Sequence, residues 1–178
     1  MNISKFPSLR LENELKSIKA DRSSFLPELK PNILFVIPDS ISGMTNIFKW
    51  TALIQGRSKE TSSPYAEGLY PININFDDSF PRTPPKISFE PGFKHIHIYD
   101  DGQICLPLVN ERNWSAKYDM INVLNQVEEL IHAEPRISSP ANSKLSEIYR
   151  NDKEKYKNII EEQARETWHK FKHLIGKI

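Results

Sequence analysis

In YPININF, Tyr70, Ile72, Ile74 and Phe76 alternate with Pro71, Asn73 and Asn75. This is the period of two expected of a strand with one face buried and the other wet. Three further short runs, ILFVI (33–37), IFKWTALI (47–54) and KISFE (86–90), are bounded by Pro, Gly, Asp, Asn or Ser and are read as strands too. Ahead of them, SLRLENELKSIK has a helical period: Leu11, Leu15 and Ile18 share one face, while Arg10, Lys16 and Lys19 occupy polar, basic positions. From Asp119 the helical period returns, and Met120, Val123, Leu124, Val127, Leu130 and Ile131 form a wide apolar stripe that predicts a well-packed helix. A short helix over 143–149 follows Pro140. Asn151, with Glu154 three positions on, resembles a capping box opening a long last helix, whose stripe is Tyr156, Ile159, Ile160, Ala164, Trp168 and Phe171.

One helix, about four strands, an irregular segment and then two or three helices make a segregated α+β arrangement. A βαβ nucleotide-binding unit is disfavoured, because there is no Gly-rich phosphate loop and the chain has only 6 glycines. Its 178 residues are ample for one core and cramped for two, which predicts a single domain over 1–178. The last stretch, WHKFKHLIGKI, reads as a short helical extension in which Trp168, Phe171 and Ile175 continue the core stripe. Lys and Arg number 24 against 23 Asp and Glu, a balance that gives no nucleic-acid field. No apolar run approaches the length of a membrane span, so neither nucleic acid nor membrane is an expected partner. One cysteine cannot form an internal disulfide, and no signal peptide is visible; the expected location is cytoplasmic and/or nuclear.

Residues 90–114 lack a regular period yet carry His95, His97, Tyr99, Cys105 and Trp114, and long ordered irregular segments often hold function. Spacing alone leaves three readings of Cys105 open. It is a small buried hydrophobe, a nucleophilic thiol served by nearby histidines, or the partner of a His-x-His metal pair. The metal reading lacks a fourth Cys, His or acidic ligand at structural-zinc spacing, so no metal is expected.

FPRTPPKISFEP, then HIHIYDDGQICLPL, then NW, then a helix ending in HAEPRISSPAN closely resemble the ubiquitin-conjugating (E2) enzymes. That family's pattern is Tyr/Phe-Pro-x-x-Pro-Pro-x-x-x-Phe, His-Pro-Asn, a Gly, Cys-Leu, a nearby Trp and a Pro-containing loop before the last helices. The likeness runs from about Leu9 to Trp168, and five pieces in order at family spacing are far more specific than any one of them. The resemblance implies the UBC fold: an N-terminal helix, a four-stranded antiparallel sheet, an active-site loop and C-terminal helices. It implies that Cys105 accepts ubiquitin from an E1 activating enzyme as a thioester, then passes it to an E3 ligase cysteine or a substrate lysine. No cofactor is needed for either step. Two alternatives stay within the fold: a modifier of the SUMO or NEDD8 type, or a non-catalytic E2-like scaffold, against which the presence of Cys105 speaks. A cysteine hydrolase would instead need Cys105 and His97 in hydrogen-bond contact with a third orienting group.

The departures from the pattern are as telling as the matches. His97 stands where the family has the Asn credited with stabilising the oxyanion or holding the adjacent loop, and imidazole can donate a hydrogen bond for either task. His95 matches a packed, hydrogen-bonded core histidine. Pro107 and Ser139 occupy positions where lysine-directed members carry acidic residues, and Cys-Leu-Pro resembles the subgroup serving HECT and RING-between-RING ligases. Arg82 and Ser115 replace an aromatic anchor and the first residue of a Pro-Ala pair on the ligase-docking surface. Arg10, Lys16 and Lys19 match the helix that meets the acidic ubiquitin-fold domain of E1.

Overall fold

Helix α1 (Lys5–Arg22) tolerates Pro7 because it falls in the first turn, where backbone N–H groups have no helical acceptor. Leu11, Glu14 and Ile18 are buried at three- and four-residue spacing, and Lys16 and Lys19 are exposed. The computed structural model describes residues 5–177, with side chains from Phe6 to Gly176; residues 1–4 and 178 of the expected 1–178 domain lie outside the described residues.

Four strands follow in an antiparallel meander ordered β1-β2-β3-β4. β1 (Ile33–Ile41) and β2 (Met44–Gln55) are joined by Ser42 and Gly43, both at positive φ (52° and 78°). That pair of conformations makes the two-residue hairpin turn whose twist suits the flanking strands. In β3 (Leu69–Asn75) Tyr70, Ile72 and Ile74 are buried while Asn73 is exposed, so the alternation legible in the sequence sets the two sheet faces. β4 (Lys86–Ser88) stops two residues short of the expected 86–90. The reason is that the Phe89 N–H leaves the sheet to bond the Gly102 carbonyl at 2.9 Å. Gly102 has φ +87°, and a Cβ there would lie 2.2 Å from the Phe89 carbonyl oxygen, so only glycine permits this approach.

Helix α2 (Met120–His132) begins at Asp119, whose carboxylate accepts from the Asn122 N–H at 2.8 Å. Met120, Val123, Leu124, Val127 and Ile131 pack with Trp50, Ala52, Ile54, Ile72 and Ile74 in one core. Each Val, Leu, Ile or Met side chain among them contributes about 1.5–3 kcal/mol on burial. Glu128 is fully buried on the same helix and is paired: it receives both Arg57 Nε and Nη2, and Lys30 Nζ, each at 2.8 Å. Helix α3 (Ser143–Asn151) is capped by Asn142, and α4 (Lys153–Phe171) by Asp152, which accepts from the Lys155 N–H at 2.9 Å. The capping box expected at Asn151 and Glu154 is thus displaced by one residue. Asn151 still belongs to α3, so the break in helical geometry falls on Asp152. No helix among the described residues is long and apolar enough to cross a membrane.

Tyr156 and Ile160 of α4 join the main core, but its far end belongs to a second cluster: Phe171 packs with Leu53 and Leu69, and Leu34, Phe35, Trp168, Leu174 and Ile175 lie against them. Leu53 alternates with Ala52 and Ile54 of the main core, so this cluster covers the opposite face of the sheet. Phe171 is buried there with Trp168 and Ile175 half-buried against it, so the extension continues the apolar stripe onto this second cluster and not into the main core. Phe171→Ala is expected to cost about 3–5 kcal/mol of stability, the usual price of deleting a buried phenyl ring. A denaturant titration checks this, and a loss under about 1 kcal/mol would mean the extension is loosely held.

Candidate active site

The segment after β4 is irregular in period but not in bonding. Ile98 and Ile104 form an antiparallel bridge, the Tyr99 N–H donates to the Gln103 carbonyl at 2.9 Å, and the Cys105 N–H to the His97 carbonyl at 2.9 Å. Residues directly opposite across such a ladder point to the same side, which puts Cys105 on the side of His97 and Tyr99 and leaves Ile98 to the core. Cys105 is exposed, and Leu106 behind it is buried. A short 3-10 turn, Pro107–Val109, follows, with Pro107 exposed at its start.

The two histidines have separate tasks. His95 is 1% exposed; its Nε2 donates to the Leu130 carbonyl at 3.0 Å and its Nδ1 accepts from the His97 N–H at 3.0 Å. Burial, with the His97 ring adding to it, holds its pKa down to about 3, so it is a neutral core residue with both nitrogens used. That disposes of the His-x-His metal pair, since His95 has no free lone pair to offer. His97 is half-buried. Its Nε2 accepts from the backbone N–H of Arg136 at 3.0 Å, so the neutral ring carries its proton on Nδ1. Desolvation, and then the Arg136 charge, lower its pKa below the usual 6.5.

Arg136 lies on the loop joining α2 to α3, and that loop is tied down on both sides of its tip. Tyr149 Oη donates to the Glu134 carboxylate. The Ala141 and Asn142 N–H groups both donate to the Ile96 carbonyl, at 2.9 and 3.0 Å, and Asn142 Nδ2 reaches Asp100 at 3.3 Å. Between these anchors Ile137, Ser138 and Ser139 are exposed. The acceptor Ile96 carbonyl, the Arg136 amide, Asn142 and Tyr149 were not singled out from sequence. The first two are backbone groups, which carry no residue-type signal.

The remaining expected positions form a separate surface. Trp114 Nε1 donates to the Pro81 carbonyl at 2.7 Å, joining the loop with exposed Arg82 to the loop with half-buried Ser115, whose Oγ accepts from the Lys117 N–H at 3.3 Å. Arg10 is engaged within the chain. It is not a free docking cation, because its guanidinium donates to Glu14 and to the carbonyls of Ala116 and Tyr118. Of the three expected cations, Lys16 and Lys19, about 9 and 14 Å further along α1, remain exposed. Phe6 and Leu9, 76% and 55% exposed, add an apolar edge near Arg10 that the stripe of Leu11, Leu15 and Ile18 did not reveal.

A family profile described as ubiquitin-conjugating enzyme matches residues 10–164, from α1 through most of α4. The chain belongs to the ubiquitin-conjugating enzyme family. This E2 chain is 32% identical to ubiquitin-conjugating enzyme E2 2 of Candida albicans over 123 residues, 69% of this chain and 66% of that protein. It is 30% identical to ubiquitin-conjugating enzyme E2 1 of Caenorhabditis elegans over 137 residues, 75% of this chain and 69% of the other, and 30% identical to ubiquitin-conjugating enzyme E2 2 of Mycosarcoma maydis over 134 residues, 74% and 70%. This E2 chain thus spans about two thirds of the length of these curated relatives. The helix, antiparallel sheet and C-terminal helices expected of the UBC fold are those observed, and the end of α4 with its second cluster lies beyond the matched residues.

Proposed function

We propose that Cys105 carries ubiquitin as a C-terminal thioester received from an E1 and yields it to the cysteine of an E3 ligase more readily than to a lysine. The observation that supports this most directly is an exposed thiol on a ladder with both flanks fixed, within the residues that the family profile matches. In the first step the Cys105 sulfur attacks the acyl carbon of the E1 thioester. One carbon–sulfur bond forms, the other breaks, and the E1 cysteine leaves as a thiolate that takes up the proton Cys105 has lost. Acyl reactivity is conserved and no metal or cofactor takes part. Ubiquitin is favoured over another modifier because it is the one in the relatives' names.

The acceptor preference rests on Pro107 and Ser139, both exposed beside the thiol's turn and loop and neither acidic. A lysine amine must lose a proton to attack, and no carboxylate stands at either position to orient it. A thiol of pKa about 8.5 is roughly 80-fold more ionised at pH 7 than an amine of pKa about 10.4 is deprotonated. The test is to charge the protein with E1, ATP and ubiquitin, quench E1, and follow the adduct with free cysteine or free lysine. Cysteine should consume it at least about tenfold faster, and Pro107→Asp with Ser139→Asp should raise lysine discharge by about tenfold or more. Rapid lysine discharge by the unaltered protein would sink the preference. An adduct formed only with SUMO or NEDD8 would reassign the modifier.

A further inference from the structure

α1 grips the loop after Trp114 through a single guanidinium. Arg10 Nη1 donates to the Ala116 carbonyl at 3.0 Å, Nη2 to the Tyr118 carbonyl at 2.9 Å, and Nε to Glu14 Oε1 at 2.6 Å. Glu14, only 5% exposed, spends its other carboxylate oxygen on the N–H of Met120 at 2.8 Å. Met120 opens α2, and its amide is one of those a helix leaves without an internal acceptor. The pair therefore fixes residues 116, 118 and 120 by three backbone contacts, while Ala116 and Lys117 face solvent. Arg10 also lies 6.0 Å from the Phe80 ring centroid, two residues before Arg82. Together with the bond from Trp114 to Pro81, this ties both loops of the surface carrying Arg82 and Ser115 to one helix.

We infer that Arg10 and Glu14 are positioning residues for the ligase. They hold the 115–118 loop in the shape that a cysteine-dependent E3 recognises, and they do so through carbonyls, without meeting the partner. This rests on the proposed transfer to a ligase cysteine and on the Arg82 and Ser115 loops being the ligase surface that the family resemblance implies. The geometry demands arginine: a planar fork with separate donors reaches two carbonyls and a carboxylate at once, whereas a lysine presents one nitrogen on a flexible stem. A docking cation, in contrast, would tolerate lysine.

The test compares the unaltered protein with Arg10→Lys and Arg10→Gln, each charged with ubiquitin and discharged by a titrated HECT catalytic domain. Both variants should raise the HECT concentration for half-maximal discharge by about tenfold, the scale of one lost charge-assisted hydrogen bond, with the saturated rate changed less than about twofold. Hydrogen exchange should quicken at the amides of Tyr118 and Met120, which bond Ser115 and Glu14. Recovery of the original half-saturation by Arg10→Lys would overturn the inference in favour of a simple cation. So would a fall in the saturated rate with half-saturation unmoved. If neither a HECT nor a RING-between-RING domain accelerates discharge of the unaltered protein, the ligase-surface reading fails and takes the positioning role with it. Acceleration that is equal in all three proteins refutes the positioning role alone.

Discussion

Cys105→Ser should convert an adduct that vanishes on adding a thiol reductant into one that survives it, and should reduce onward transfer by at least about a thousandfold. The sulfur matters at both ends of the cycle. A thiol ionises near neutral pH and a serine hydroxyl does not, so charging by E1 slows. Once formed, an oxygen ester is a poorer acyl donor than a thioester, so the ester accumulates and resists thiolysis. Cys105→Ala should give no adduct at all, because the chain has no second cysteine to take over. Neither substitution should unfold the protein: the side chain is exposed, and the strand is held through the Cys105 amide, which any residue supplies. A stability change beyond about 0.5 kcal/mol is therefore not expected. Gel analysis with and without reductant, a gel time course of onward transfer and thermal melts read these outcomes. A reducible adduct on Cys105→Ala would place the acyl group elsewhere and remove the basis of the proposed function.

The sequence announced some parts of this molecule and concealed others for definable reasons. Alternation in β3 and the α2 stripe were legible because burial acts on side chains one at a time, and the period of that burial is written in residue types. Cys105 became legible through its neighbours in order, since a lone thiol has no local signature that separates catalysis from packing. What Arg10 meets was not legible, because helical periodicity tells which face a cation occupies but not what lies opposite, and its partners here are carbonyls of Ala116 and Tyr118. The shortened β4 and the cap at Asp152 have the same origin. In both, a backbone group chose between two acceptors or two geometries that the residue types permitted equally. The second cluster around Phe171 was half legible: the stripe was visible, but not the sheet face that it covers.

His97 is where sequence and geometry have to be read together. An amide side chain offers one acceptor and one donor, and a neutral imidazole offers the same pair. Here the acceptor half is engaged, as Nε2 receives the Arg136 N–H and holds the loop whose exposed tip includes Ser139. In the proposed transfer the donor half, Nδ1–H, would serve the developing oxyanion of the acyl-transfer intermediate. His97→Ala removes both and should slow discharge to cysteine by about a hundredfold to a thousandfold. His97→Asn returns an amide donor close to the Nδ1 position and should stay within about threefold of the unaltered protein, whereas a purely space-filling histidine would make the two variants alike. Protonation adds a second handle. Burial, and then the Arg136 charge, lower its pKa, and the imidazolium has no acceptor, so it must also abandon the Arg136 N–H. A histidine whose folded pKa is depressed contributes fully above its unfolded value of about 6.5 and loses that contribution as the pH falls through the lower folded value. The ratio of discharge by the His97 protein to that by His97→Asn should therefore be flat from pH 8 to about 6.5 and decline on the acid side. A ratio that climbs as the pH is lowered would identify imidazolium as the working donor, and the loop would then have to be held by Ile96 and Tyr149 without help from the ring.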